Sequence, residues 1–223
     1  MSVTTPTEYC TEAPESLAEQ AYRQLRDRLT VLEIRPGAMI QDAHLAIEMG
    51  IGRTPVREAL KRLQTDHLVV SYPRRGTFAT QVDITALSDV SELRRNLEPL
   101  AARKAALAAP PHVRQEMQDL ARTLADLAGG APTNESFMRA DLRVHRLIYR
   151  ASGNAHLEET LMRLDNLATR IWCLVLDRVP TVGRHVHEHV HLLEAIAAGR
   201  AEEAAELALE HVTGFERTMR SIL

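Results

Sequence analysis

Gly50-Ile51-Gly52-Arg53-Thr54-Pro55-Val56-Arg57-Glu58-Ala59-Leu60-Lys61-Arg62-Leu63 is the stretch on which the reading of the fold turns. The two glycines break whatever precedes them. Thr54 can cap a new helix, and Pro55 at its first position needs no amide partner. Val56, Ala59, Leu60 and Leu63 then give that helix one apolar face, and it ends near Asp66-His67. Upstream, Leu17, Ala21, Leu25, Leu29 and Leu32 recur every three or four residues, which predicts a helix from Glu15 to the Arg35-Pro36-Gly37 turn. A short helix over Asp42–Met49 lies between. Downstream, Leu68–Ser71 and Thr77–Ala79 read as short strands around Tyr72-Pro73-Arg74-Arg75-Gly76, a tight turn with two cations. Three helices and a small hairpin in this order make a winged helix-turn-helix.

The whole chain of 223 residues has 30 acids and 27 bases, a formal charge of −3, which hides a local excess. Over 50–80 six bases face two acids. Arg53 and Arg57 open the third helix, where a recognition helix meets base edges in the major groove. Arginine there can pair with guanine O6 and N7. Thr54 and the free amides of the helix start can hold a phosphate. Lys61 adds a cation to the same helix, and Arg74 and Arg75 on the wing can reach the backbone or the minor groove. The competing reading is a merely solvated basic helix. The DNA reading predicts double-stranded operator DNA as a partner and binding that weakens steeply with salt.

The words of this stretch closely resemble the recognition-helix signature of the GntR family of bacterial transcription regulators. Leu68-Val69 and Arg74-Arg75-Gly76-Thr77-Phe78 resemble that family's wing. The resemblance covers roughly 16–80 and implies Arg53, Thr54 and Arg57 as DNA contacts, with Gly76 at the wing tip. It departs at Gly52, where Ser or Thr is more usual, and at Ala43 and His44, so no contact is carried over to the second helix.

Composition narrows the remaining classes. Hydrophobic residues are 45%, enough for a substantial core. Aromatics are 4% with one tryptophan, Trp172, which argues against a base-stacking or sugar groove. The bases are 25 Arg and two Lys, which suits phosphate and carboxylate contacts or reflects genomic base composition. Cys10 in a polar stretch and Cys173 in a hydrophobic run indicate neither a disulfide framework nor a thiolate cluster. Residues 1–14 read as a disordered tail without the basic and apolar regions of a secretory signal. No apolar run approaches the roughly 18 residues of a membrane span. A cytoplasmic protein with no membrane partner is expected.

From Asp83 onward the chain reads as helix after helix. The segments are Asp83–Ala109, Val113–Leu127, Ser136–Ser152, His156–Val179, Val182–Ala198 and Ala201–Leu223. The expected fold class is mainly α: the winged head over 15–80, a linker over 81–86 and an antiparallel all-helical bundle over 87–223. Seven of the ten histidines lie between His145 and His211. Met138, Asp141, His145 and Ile148 share one helical stripe, so Asp141 and His145 face a core one turn apart. His189 lies beside the Val186, Val190, Leu193 stripe, while His185, His187 and His191 fall with polar residues. His211 sits within the stripe Ala204, Leu207, Phe215, Met219. Buried polar groups need partners, and an Asp/His pair one turn apart can chelate a metal. Periodicity thus selects Asp141, His145, His189 and His211, either as hydrogen-bonded core residues or as a shared metal site.

Leu93-Arg94-Arg95-Asn96-Leu97-Glu98-Pro99-Leu100-Ala101-Ala102 resembles the opening helix of the FCD ligand-binding domain of the FadR branch of these regulators. Asp141 and His145, Glu188-His189 with Leu193-Glu194-Ala195-Ile196, and Glu210-His211 resemble its metal motifs in order. The resemblance covers about 87–220. It implies that Asp141 and the three histidines bind a divalent ion, Zn or Ni first, with Mn or Fe as further candidates. Three neutral imidazoles and one carboxylate around such an ion leave a charge of +1 and, in an octahedron, two open positions. A small carboxylate effector suits that centre. Arg94 is the candidate for a bidentate contact to it, or else an ordinary surface or dimer-interface arginine. The function expected is a metabolite-responsive transcriptional repressor, a homodimer reading half-sites about 34 Å apart. The alternatives are a metal-dependent hydrolase or lyase fused to a DNA-binding head, and a metal that is only structural.

Overall fold

The computed structural model describes residues 15–129, 133–178 and 182–223. The tail expected over 1–14 lies outside them. The chain is mainly α, with a winged helix-turn-helix at its N-terminal end followed by an all-helical unit.

Helix α1 (Leu17–Thr30) starts where the Ser16 hydroxyl accepts from the Glu19 amide at 3.1 Å. Ala21, Leu25 and Leu29 are fully buried. The expected stripe is shorter at both ends. Leu17 is half exposed, and Leu32 lies beyond the helix in a left-handed turn at φ 59°. Helix α2 (Asp42–Glu48) and helix α3 (Arg53–Thr65) follow. Gly52, not Thr54, is the N-cap of α3, and no side chain caps it. Thr54 and Pro55 are already helical, which the first turn tolerates because its amides have no intrahelical partner. Val56, Ala59, Leu60 and Leu63 are buried as the pattern requires.

Strands β2 (Val69–Tyr72) and β3 (Gly76–Ala79) form the hairpin, with Val69 opposite Ala79 and Tyr72 opposite Gly76. A two-residue strand β1 (Met39–Ile40), too short to show alternation in the sequence, pairs with β3 and gives the order β1-β3-β2. Gly76 has φ 98°, and a Cβ there would meet the Met39 methyl at 3.2 Å, so this wing position favours glycine on two counts. Leu25, Leu45, Val56, Leu63, Leu68 and Ala79 belong to the head's own hydrophobic core.

Asp83 accepts from the Thr85 amide at 2.9 Å, but what it caps is a short 3-10 turn, Ile84–Ala86. Helix α4 (Leu87–Ala108) begins after it, and α5 (Pro111–Gly129), α6 (Asn134–Ala151), α7 (Ala155–Val175), α8 (Val182–Ala197) and α9 (Ala201–Ile222) complete the unit. Helix α4 packs along α9 and α7, α5 along α8, and α6 along α7. Their shared faces form a second core that includes Phe137, Leu161, Ile171, Trp172 and Leu193.

The two units are tied together through α6 and α7. The Arg146 guanidinium donates to Asp27 of α1 at 2.8 Å, and Arg139 to Glu33 at 2.9 Å. Arg170 donates to the Thr80 carbonyl at 2.6 Å, and the Thr30 hydroxyl to Asn166 at 3.3 Å.

Candidate metal centre and nucleic-acid face

The structure brings Asp141, His145, His189 and His211 together. Helix α6 supplies Asp141 and His145, α8 supplies His189, and α9 supplies His211. None is more than 2% exposed. One ligand atom from each of His145, His189 and His211 lies within 4.8 Å of the others. Asp141 Oδ1 stands 4.0 Å from His145 Nε2 and 3.6 Å from His189 Nε2.

Neighbouring residues fix the ring nitrogens. Tyr149 gives its one hydroxyl proton to Glu98 at 3.0 Å. At 3.2 Å from that hydroxyl, His145 Nδ1 must then be the donor, which leaves the Nε2 lone pair facing Asp141. His211 Nδ1 lies 3.1 Å from a Glu188 carboxylate oxygen, so it too carries its proton on Nδ1 and keeps Nε2 free. Such outer partners orient metal-binding imidazoles and raise their basicity. Burial holds His211 and His189 well below the ordinary imidazole range, with neighbouring histidines adding to the effect at both. Both are therefore neutral, the form that ligates. Burial works to raise the Asp141 carboxyl, but His185, whose ring nitrogen turns toward it as a donor at 3.5 Å, and the positive charge that His145, His189 and His185 carry whenever they are protonated, outweigh it and hold it well below its ordinary range.

Three atoms inside this cluster have no hydrogen-bond partner among the described residues: Asp141 Oδ1 and both ring nitrogens of His189. Buried polar atoms left in that state cost free energy. A divalent cation would satisfy the oxygen and one nitrogen at once, so the donor set fits the ion that the sequence implies.

Arg94 is buried, not a surface arginine. Its Nε donates to Glu98 at 2.5 Å, and a second nitrogen lies 3.4 Å from Asp165. Burial opposes its charge, but Glu98, Tyr149 and Asp165 more than compensate, so the guanidinium is held charged. It lines a small cavity with Asp141, His145, Trp172, His185 and His211, whose free space is about one water molecule.

His185 is the residue that sequence reasoning missed. Helical spacing sets it with Glu188 on a polar face, yet its ring packs 4.3 Å from Trp172 and 4.2 Å from His211. The available signal was its position one turn before His189. His187 and His191 are exposed.

On the head, Arg53, Thr54, Arg57, Lys61, Arg74, Arg75 and Gly76 are all exposed. Arg57, Lys61 and Gly76 border one groove between α3 and the wing. Asp42 of α2, which no sequence motif singles out, accepts from Arg53 at 3.1 Å and lies 3.7 Å from Arg57. Arg62, counted in the basic excess, is turned away. It pairs with Glu19 and lies over the Tyr22 ring at 3.8 Å.

A winged helix-turn-helix joined to a helical unit with a buried His/Asp cluster is the build of a DNA-binding transcription regulator. The comparisons with known proteins agree. Residues 17–79 match the family model "Bacterial regulatory proteins, gntR family", and 89–214 match the FCD domain. The chain belongs to the GntR family and carries an FCD domain, the architecture of the FadR subfamily. A helix-turn-helix transcriptional regulator of Streptomyces ambofaciens is 31% identical over 80% of this chain and 74% of its own length. The Nta operon transcriptional regulator of Aminobacter aminovorans is 30% identical over 80% and 82%. The E. coli McbR/YncC structure shares the fold with TM-score 0.79 at 22% identity, covering 93% of this chain and 98% of that one. Both sequence relatives are named as transcriptional regulators, and the family matches make this chain one too, not an enzyme. Among the described residues, no helix is long and apolar enough to cross a membrane.

Proposed function

We propose that the chain is a cytoplasmic repressor that releases its operator when a small carboxylate binds at a divalent metal in the helical unit. The observation that carries this is the convergence of Asp141, His145, His189 and His211 around buried atoms without partners, beside the charged Arg94. Those four residues would hold the ion, Zn or Ni before Mn or Fe. The bound ion would offer a positive centre for a carboxylate oxygen, and Arg94 would orient the other end. Arg94 already holds Glu98 and Asp165, so a carboxylate has to compete with them and widen a cavity of one water's size. The head over 15–80, linker over 81–86 and effector unit over 87–223 are the working parts of this reading. Arg53 and Arg57 would meet base edges, while Thr54, Lys61, Arg74, Arg75 and the Gly76 backbone would hold phosphates.

The test is to screen small carboxylates against nickel-loaded protein by calorimetry and follow operator affinity by anisotropy. Stoichiometric binding that weakens operator binding, with no new product, is the expected result. Product formation would favour the hydrolase or lyase alternative, and tighter operator binding would make the protein an activator or co-repressed regulator.

A homodimer is part of this proposal, and α4 supports it. Leu93, Leu100 and Leu107 are 50%, 41% and 69% exposed and spaced seven residues apart. The stripe is symmetric about Leu100. A second copy running antiparallel would set Leu93 against Leu107 and Leu100 against itself, as an isologous two-fold contact requires. Leu100→Glu would place two like charges at that axis. Sedimentation should then show monomer at concentrations where the parent chain is a dimer, with operator affinity reduced at least about tenfold through loss of the paired head.

A further inference from the structure

His185 is mostly covered at the edge of the cluster and has no task in the ligand set just proposed. Its side chain is 11% exposed, and its Nε2 lies 3.5 Å from Asp141 Oδ1, an oxygen that accepts no hydrogen bond. The ring sits among Trp172, Phe215 and His211. For packing alone, a phenyl ring would fill this aromatic wall without the cost of burying imidazole nitrogens. Asp141, His185 and His189 also place one ligand atom each within 4.8 Å of one another, the same criterion that His145, His189 and His211 meet. The two sets share His189. The arrangement is a pair of pairs: Asp141 and His145 one turn apart on α6, His185 and His189 one turn apart on α8.

We infer that His185 is a fifth protein ligand to the same divalent ion, an inference that rests on the metal reading above. In an octahedral ion one position then remains open, not two. A single carboxylate oxygen fits that position, whereas a chelating hydroxy acid has to displace a protein ligand. His185 is the ligand best placed to leave. It is the most exposed of the five and sits in the first turn of α8; the Glu188 carboxylate that lies 3.1 Å from His211 Nδ1 is 3.6 Å from His185 Nδ1, while His145 Nδ1 is 3.2 Å from the Tyr149 hydroxyl.

Cobalt(II) alone is the probe. Metal-free parent protein, His185→Ala, His185→Phe, His185→Gln and the exposed control His187→Ala are titrated, reading the dissociation constant and the visible ligand-field bands. The parent and His187→Ala should agree. All three His185 variants should bind at least about tenfold more weakly, with shifted bands. Phenylalanine keeps the ring packing and glutamine keeps a polar side chain, so one of them reports even if another perturbs folding. If His185→Phe keeps the parent's affinity and bands, His185 is a packing ring and the inference is overturned. If the parent itself takes up no cobalt, the metal reading falls, and the inference with it.

Discussion

His189→Ala should abolish the part of the thermal stability that depends on metal. An ion that binds only the folded state, at a free concentration a thousand times its dissociation constant, adds about 4 kcal/mol. For a chain of this length each kcal/mol moves the midpoint by roughly 2–4 °C, so removing metal from the parent should lower it by roughly 10 °C. His189 belongs to two of the three groups of converging ligand atoms and is the residue common to the two that contain Asp141 and His145, so no substitution in the cluster disrupts more of it. The metal-free variant should still fold. Alanine leaves a cavity, but it also removes two buried nitrogens that have no partner. Differential scanning calorimetry with nickel and with chelator settles the matter. A variant that keeps the full metal-dependent shift would show that the ion sits elsewhere.

Arg57→Ala should cut specific operator affinity by roughly 5- to 150-fold. That is the range of 1–3 kcal/mol that a bidentate arginine–guanine pair contributes. Arg57 is 70% exposed on the first half of α3, and Asp42 lies 3.7 Å from it, close enough to restrain the guanidinium before DNA arrives. Affinity for scrambled duplex should fall far less, because the lost contact reads a base. Arg75→Ala should behave differently. It would weaken specific and scrambled duplexes alike and lower the slope of log affinity against log salt by about one. Anisotropy titrations on both duplexes at several salt concentrations separate the two. Equal losses on both duplexes for Arg57→Ala would falsify the base-reading role.

Which features were legible in the sequence follows from how each is encoded. Helices and their buried faces are written in a period of three to four residues, so α3 and α6 could be read closely. The four cluster residues were legible for the same reason: each is a polar residue on an apolar stripe. That logic failed for His185, which lies near the helix start among polar neighbours and is covered by Trp172 of another helix. Strand β1 has two residues and no period to detect. The start of α3 was misplaced because Thr54 and Pro55 form a familiar pair, whereas Gly52 caps through its backbone conformation alone. The burial of Arg94, the turn of Arg62 toward Tyr22 and the pairing of Asp42 with Arg53 are tertiary contacts. No local pattern records them.

Helix α6 holds Asp141 and His145 toward the cluster, while its Arg139 and Arg146 grip Glu33 and Asp27 of the DNA-reading unit. A coupling carried by such a shared element has no preferred direction. If filling the cluster weakens operator binding by about tenfold, operator binding must weaken filling of the cluster by the same factor. Molecules seated on DNA would then be the last to take up effector, and those free in solution the first. The concentration at which a promoter responds would depend on how many copies of the protein share the cell with each operator, as well as on the chemistry of the pocket.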